Sequence, residues 1–489
     1  MRDVVRRISI CVLLAGGLTE ATRASAQAST AVLTPQQRLA REIYKELVEI
    51  NTVDSVGSVT QAAEAMARRF RAAGFPAADV QVLVPPGKPT KGNLVVRYRG
   101  RGGPNAPRPI LLLAHLDVVA AKREDWKYDP FVLREENGYF LGRGTADDKA
   151  MAAVFVANLL RYRQEGWVPT RDIILALTAD EESGDGNGAA YLSETHRDLI
   201  DAAYAINEGS DEARGPDGKP LYLGLQAAEK LAVNYTLTAT NPGGHSSQPR
   251  PDNAIYQLAH ALERLEAYTF PVALNPVSRA YLEQTAKVES PAMAAAMRTV
   301  LTNPTDAAAL SVLSQSVTYR TAIRTTCVAT RLEGGHAYNA LPQRASANVN
   351  CRVVPTSTPD EVRDQIARVV GDTGVKVVFT FPRSSYDSGP RRPVDPVDPE
   401  LLSAVTSISK SMWGNVPVIP MMSMWATDGA ILRQAGIPTF GVSGMFLKPG
   451  EDNSHGLDEK MPVKSFYEGL EFLDRLVRTV SGGGGAPKS

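Results

Sequence analysis

Apolar runs that stop abruptly at acids or histidines recur along this chain. Residues 173–177 (IILAL) have the pattern of a strand buried on both faces, and the run ends at Asp180, Glu181 and Glu182. Residues 109–114 (PILLLA) repeat the design and end in His115, Leu116 and Asp117, while 203–207 (AYAIN) end in Glu208. Helical spacing fills the intervals. Leu39, Ile43, Leu47 and Ile50 make a stripe after Thr34-Pro35, and residues 59–73, 150–161, 400–413 and 464–480 also read as helices.

Strands at 80–84, 93–98 and 438–442 complete a first set of elements, and a different texture begins near Leu231. There 233–239 alternate like a half-exposed strand, and 253–267 carry Ile255, Leu258, Leu262 and Leu265 on one helical stripe. Residues 268–320 read as helical or irregular. The strands 326–332 and 345–354, a helix at 359–370 and a strand at 375–381 follow, then a turn-rich linker at 382–399. The pattern predicts an α/β fold whose main domain has a mixed, mostly parallel sheet flanked by helices. Its expected bounds are 27–229 and 385–480, with an α+β lid inserted at 230–384 and a Gly-rich tail at 481–489. No internal repeat is visible.

Composition narrows the picture. A length of 489 residues exceeds a typical single core, and the equal tally of 53 Lys+Arg and 53 Asp+Glu argues against a general nucleic-acid or anionic-membrane binder. Arg2, Arg6 and Arg7, an apolar run at 8–18 and Ala24-Ser25-Ala26 form a signal segment over 1–26, which predicts a periplasmic or secreted protein. The run is too short to span a bilayer, so no membrane anchor is expected in the mature chain. Removing the segment takes Cys11 with it. Cys327 and Cys351 remain, placed symmetrically about Asn339, so a hairpin turning there sets them opposite each other as a disulfide or as two inert buried thiols.

Three neighbouring carboxylates gain nothing from a core and repel one another, whereas a bound cation makes the arrangement attractive. The plainer alternative is a solvated acidic loop. In an open α/β sheet ligands bind outside the carboxyl ends of the strands, where imidazoles and carboxylates from several ends can converge. A second acidic stretch, Gly142-Arg143-Gly144-Thr145-Ala146-Asp147-Asp148-Lys149, precedes a helix; one aspartate is explained as a helix cap, and the other is not. His115, Asp147, Glu182, Glu208 and His455 together suit zinc or another first-row divalent ion in an open site. No G-x-S-x-G serine-hydrolase elbow occurs.

The motifs AHLD at 114–117, GRGTADDK at 142–149, TADEESG at 178–184, NEG at 207–209, GGHSS at 243–247 and SHG at 454–456 occur in that order. Through them the chain resembles the M20 metallopeptidases, a family that includes aminoacylases and carboxypeptidases. The resemblance implies two Zn2+ per subunit, with Co2+ or Mn2+ as alternatives. Asp147 bridges them, His115 and Glu208 complete one site, and Glu182 and His455 the other. It further implies Glu181 as general base, Asp117 orienting His115 through its second ring nitrogen, and His245 stabilising the oxyanion from the lid of a homodimer partner. Asn339 and Arg352 match the family's substrate-carboxylate anchors.

The implied activity is cleavage of the amide next to a C-terminal amino acid carboxylate, in a peptide or an N-acyl amino acid. An aminopeptidase or dipeptidase, or a catalytically silent metal-binding protein, is the alternative. Two departures from the pattern stand out: the long 268–320 segment, and the bulky run Met421-Met422-Ser423-Met424-Trp425, which is either core or the wall of an apolar substrate pocket.

Overall fold

The structure, a computed structural model, describes residues 32–103, 105–381, 394 and 396–482. The expected signal segment and most of the 382–399 linker lie outside these residues. The centre is a nine-stranded mixed sheet. Its order is Val80–Leu83, Asn93–Tyr98, Ile173–Thr178, Ile110–His115, Tyr204–Asn207, Thr439–Gly441, Pro220–Glu229 and Val418–Ser423, with Glu212–Arg214 paired on Pro220–Glu229. The four strands from Ile173–Thr178 to Thr439–Gly441 run parallel, so their carboxyl ends open on the same edge.

Every residue of Ile110–His115 and Ile173–Thr178 is buried, which is why these strands read as continuous apolar runs without alternation. Helix Lys149–Glu165 packs behind them and is buried over most of its circumference. Around it Tyr44 stacks on Phe466 at 4.6 Å and meets Phe140 edge-on, locking the first and last helices to each other and to the short strand Tyr139–Leu141. Each fully buried Leu or Ile here contributes about 2 kcal/mol.

A second, four-stranded antiparallel sheet has the order Thr326–Gly334, Arg344–Val353, Leu231–Thr240, Val375–Phe379. Helices Ala254–Ala267 and Pro359–Val370 cover one face through Leu258, Leu265, Val362 and Ile366. Cys327 lies opposite Cys351 in the ladder, and the two are joined in a disulfide with Cα atoms 4.1 Å apart. The symmetry about Asn339 therefore marks a real hairpin.

Several elements differ from expectation. Pro220–Glu229 is a ten-residue strand that the sequence did not announce, because Gly224 and Gln226 interrupt its apolar pattern. The run 421–429 divides: Met421 to Ser423 end a strand, and Asp428 starts the short helix Asp428–Gln434. The 268–320 segment contains helices Pro276–Thr285, Pro291–Thr302, Ala307–Leu313 and Val317–Ala322, the first two with proline in the first turn, gathered on Met297, Leu313 and Ile323. Ser481 closes the last helix, Val463–Ser481, and residues 483–489 of the expected Gly-rich tail lie outside the described residues.

Candidate metal centre

The carboxyl ends of the parallel strands deliver His115, Glu182 and Glu208 to one cleft of about 400 Å³. The loop before helix Lys149–Glu165 adds Asp147, and the 450–458 loop adds His455, whose backbone is left-handed at φ 61°. The peptide between Asp147 and Asp148 is cis. All five expected ligands meet here.

Asp147 stands between the two imidazoles. Its Oδ1 lies 2.9 Å from Nε2 of His115, and its Oδ2 lies 3.1 Å from Nε2 of His455. His455 Nε2 also lies 2.8 Å from Glu182 Oε1, and Glu208 Oε1 is 3.9 Å from His115 Nε2. Nδ1 of His115 donates to the carbonyl of Asp117 at 3.1 Å, and a carbonyl can only accept. Nε2 therefore faces a carboxylate oxygen, a contact that a proton on the ring or a metal ion between the two makes attractive; burial opposes a charge on His115, but the bonds to Asp117 and Asp147 hold its imidazole well above the usual range.

The surrounding charge agrees. Among the described residues seven acids line the cleft, Asp147, Asp148, Glu181, Glu182, Glu208, Glu212 and Asp452, and no Lys or Arg does. Burial pushes the carboxyls of Glu181, Glu208 and Asp148 well up, and Glu182 to about 7. Asp147 goes the other way: burial opposes ionisation, but the bonds to His115 and His455 hold it well below the usual carboxylate range. A buried Asp148 oxygen has no hydrogen-bond partner. Excess buried negative charge and N/O donors without sulfur fit one or two divalent ions of the zinc type.

The side chain of Asp117 does more than face the second ring nitrogen of His115. Its carboxylate lies 3.5 Å from Nδ1 of His115, and it is the main-chain carbonyl that makes the shorter contact. The carboxylate instead accepts the backbone N–H groups of Glu181 at 3.1 Å and Glu182 at 3.0 Å, fastening the turn that carries both. Asp180, in left-handed backbone, is bound to Lys91 at 2.5 Å and serves the turn rather than the cleft. Among the described residues the Glu181 side chain takes no hydrogen bond. Ligand atoms of His115, Glu181 and Glu208 also lie within 4.8 Å of one another, so Glu181 reaches the same point as the ligands.

Three predicted substrate residues stand apart from this cleft. His245 is exposed and pairs opposite Ala340, next to Asn339, whose carbonyl accepts from Ser246. Arg352 is on the neighbouring four-stranded sheet, at the end away from this small ladder. Along its strand Arg344 lies opposite Thr240, near the His245 end, and Arg352 eight residues on lies opposite Ala232, a separation of roughly 27 Å. Within one chain Asn339 and Arg352 therefore lie well apart.

Sequence reasoning missed Glu459 and Asp428. Glu459 accepts from the backbone N–H of Gly144, Ala146 and Asp147 and from Arg143. Asp428, buried behind the ligands, accepts from Thr178 Oγ1 and Asn187 Nδ2. The available signal was the acids of the segments GLDEK and ATDG, which belong to no apolar pattern.

Imidazoles and carboxylates converging at strand ends, around a point of excess negative charge, fit the site of a metal-dependent hydrolase. The chain belongs to peptidase family M20/M25/M40, whose model matches residues 111–479. It is 28% identical over 390 residues to N-fatty-acyl-amino acid synthase/hydrolase PM20D1 of Homo sapiens, covering 77% of this chain and 75% of that protein. It is 25% identical over 443 residues to aminoacylase-1 of Mus musculus, covering 90% and 94%. Its fold is similar to that of the M20 family metallo-carboxypeptidase Sso-CP2 from Sulfolobus solfataricus, with TM-score 0.64 and 17% identity over 90% of this chain and 98% of that one.

Proposed function

We propose that the protein hydrolyses the amide bond next to a C-terminal amino acid carboxylate, and that two divalent ions, zinc in the first instance, are held by Asp147 between His115 with Glu208 and His455 with Glu182. The observation that carries this reading is the split of Asp147, one oxygen facing each imidazole. Bound ions would supply Lewis acidity, polarising the substrate carbonyl and lowering the pKa of a water. Glu181 takes the proton from that water as it attacks the carbonyl carbon, and returns it to the amine nitrogen as the C–N bond breaks. A base must be free to accept, and Glu181 is the cleft glutamate with its backbone fixed and its carboxylate unengaged. Asp117 aims it by holding its N–H.

Between N-acyl amino acids and peptides, the neighbouring cavity favours the former. A chamber of about 320 Å³ lies between Met421, Met422, Met424 and the helices at 276–322, and Trp425 lines both chamber and cleft. Mostly apolar walls suit an apolar acyl group. The names of the two relatives, which speak of acyl amino acids, point the same way. His245 and Asn339, remote from Arg352 in one chain, would serve a second copy's cleft across a homodimer. The Cys327–Cys351 disulfide supports export to an oxidising compartment.

The test is a screen of N-acyl amino acids of graded acyl length, dipeptides and their amidated counterparts against zinc-loaded protein. Turnover confined to substrates with a free carboxylate supports the proposal. Preference for amidated substrates with a free amine would replace it with an aminopeptidase.

A further inference from the structure

The chamber beside the cleft is mostly apolar in area, yet it carries charge of one sign. The rings of Tyr222, Tyr281, Tyr319 and Trp425 line it together with the carboxylates of Asp211 and Glu289, and among the described residues no Lys, Arg or His does. These walls come from separate parts of the chain. Tyr222 belongs to strand Pro220–Glu229 and Asp211 to the loop before Glu212–Arg214, while Tyr281, Glu289 and Tyr319 come from the inserted helices and their turns. The rings of Tyr281 and Tyr319 have centroids 6.3 Å apart.

Asp211 Oδ2 accepts from the Tyr222 hydroxyl at 2.7 Å, and Glu289 accepts from the Tyr319 hydroxyl and from the N–H of Ser290. The second Asp211 oxygen takes no hydrogen bond among the described residues, and no cation among them pairs with either acid. Both charges bear on one ring: burial, then Asp211 and Glu289, push the Tyr281 phenol up to about 12. Thr285, 5% exposed, lines the same space; its Oγ1 forms no hydrogen bond of good geometry, and the Tyr281 hydroxyl is its polar neighbour. A plain hydrocarbon filling this chamber strips water from two carboxylates and returns nothing to them. An organic cation is held both by those charges and by the negative faces of the rings. A primary ammonium also needs an acceptor for each N–H, whereas a methylated one spreads its charge over C–H groups that need none.

We infer that the chamber is a cation cage, and that the acyl half it selects ends in a quaternary ammonium on an apolar stem. Trp425, which lines both spaces, joins the cage to the cleft. Apolar wall holds the stem, and Asp211 and Glu289 choose the charge at its end. The inference rests on the proposed amidohydrolase reading for its link to turnover, but not for binding.

Two ligands of one shape isolate the charge. Trimethylammoniohexanoate and its tert-butyl analogue differ only in nitrogen for carbon, and both offer the same carboxylate to the metal centre. Calorimetry on the zinc-loaded protein should show at least about tenfold tighter binding of the cation, falling to within about twofold when Asp211→Asn and Glu289→Gln are combined. Unmethylated aminohexanoate should bind between the two. The N-acyl-L-leucines made from the isosteric pair should show the same preference in kcat/KM. Equal binding of the pair by wild type overturns the cage, and tighter binding of aminohexanoate than of its methylated form overturns the quaternary assignment. A preference that survives both substitutions puts the cation in the acidic cleft and overturns the cage as well. Selective binding without hydrolysis of either N-acyl-leucine keeps the cage and overturns the amidohydrolase reading; equal binding with hydrolysis of both does the reverse. The wild-type comparison needs no variant, and Glu289→Gln alone, at a half-buried turn residue, gives an intermediate ratio if the double variant folds poorly.

Discussion

Arg143 and Glu459 form a buried ion pair, Nη1 to Oε2 at 2.6 Å, with side chains 3% and 1% exposed. Arg143 also donates to the carbonyl of Gly456, next to His455, while Glu459 accepts from the N–H of Asp147. The pair thus clips together the two loops that bring Asp147 and one imidazole to the same point. Glu459→Ala should leave Arg143 buried and unpaired, costing about 3–5 kcal/mol, and should weaken zinc binding by about 10–100-fold. Denaturation curves with and without zinc, alongside calorimetry of zinc binding, check both numbers.

Glu181→Gln keeps the shape of the side chain and removes its capacity to take a proton. Zinc content should match wild type while kcat falls by about 10²–10⁴, with little change in KM. Unchanged turnover in a fully loaded variant would reassign Glu181 as a bystander, and lost metal would make it a ligand.

Acid crowding in the cleft makes the apo protein less stable than the loaded one. Zinc at about 100 times its dissociation constant should add about 2.7 kcal/mol of stability, and exhaustive chelation should abolish activity and lower Tm. Readdition of zinc should restore both. Activity that survives chelation would rule out the proposed chemistry.

Trp425 lines both the cleft and the apolar chamber, so its removal should alter acyl-group selection more than catalysis. Trp425→Ala is expected to shift the optimum of kcat/KM along a series of acyl lengths and leave acetylated substrates within about threefold. A uniform loss across the series would mean that Trp425 supports the cleft rather than lining the acyl path.

The Cys327–Cys351 disulfide spans a sequence separation of 24 residues. Closing a loop of that size in the unfolded chain is worth about 3 kcal/mol in the chain-entropy model. Cys327→Ala with Cys351→Ala should lower the denaturation midpoint accordingly, and a reductant should have the same effect on wild type and none on the double variant.

The strand ends were legible because an apolar run that breaks at His115, at Glu181 and Glu182, or at Glu208 has no packing rationale, so the chemistry was what remained. Cys327 and Cys351 were legible because a hairpin is symmetric about its turn. Glu459 was not, since its partner Arg143 is 316 residues away and neither belongs to a periodic pattern. The same holds for Asp117. Its motif announces a role beside His115, but only the fold shows that its carboxylate serves the turn of Glu181 and Glu182. The distance between Asn339 and Arg352 depends on ladder register, which local sequence does not encode.

Lys230 alone links a strand of the central sheet to a strand of the lid, with no slack to absorb motion. Glu229, just before it, is pinned by the backbone N–H of Thr427 and by Arg433. A displacement of the antiparallel sheet at this junction would therefore be passed through Glu229 to Thr427 and Arg433, and so to the segment that carries Asp428 behind the ligands.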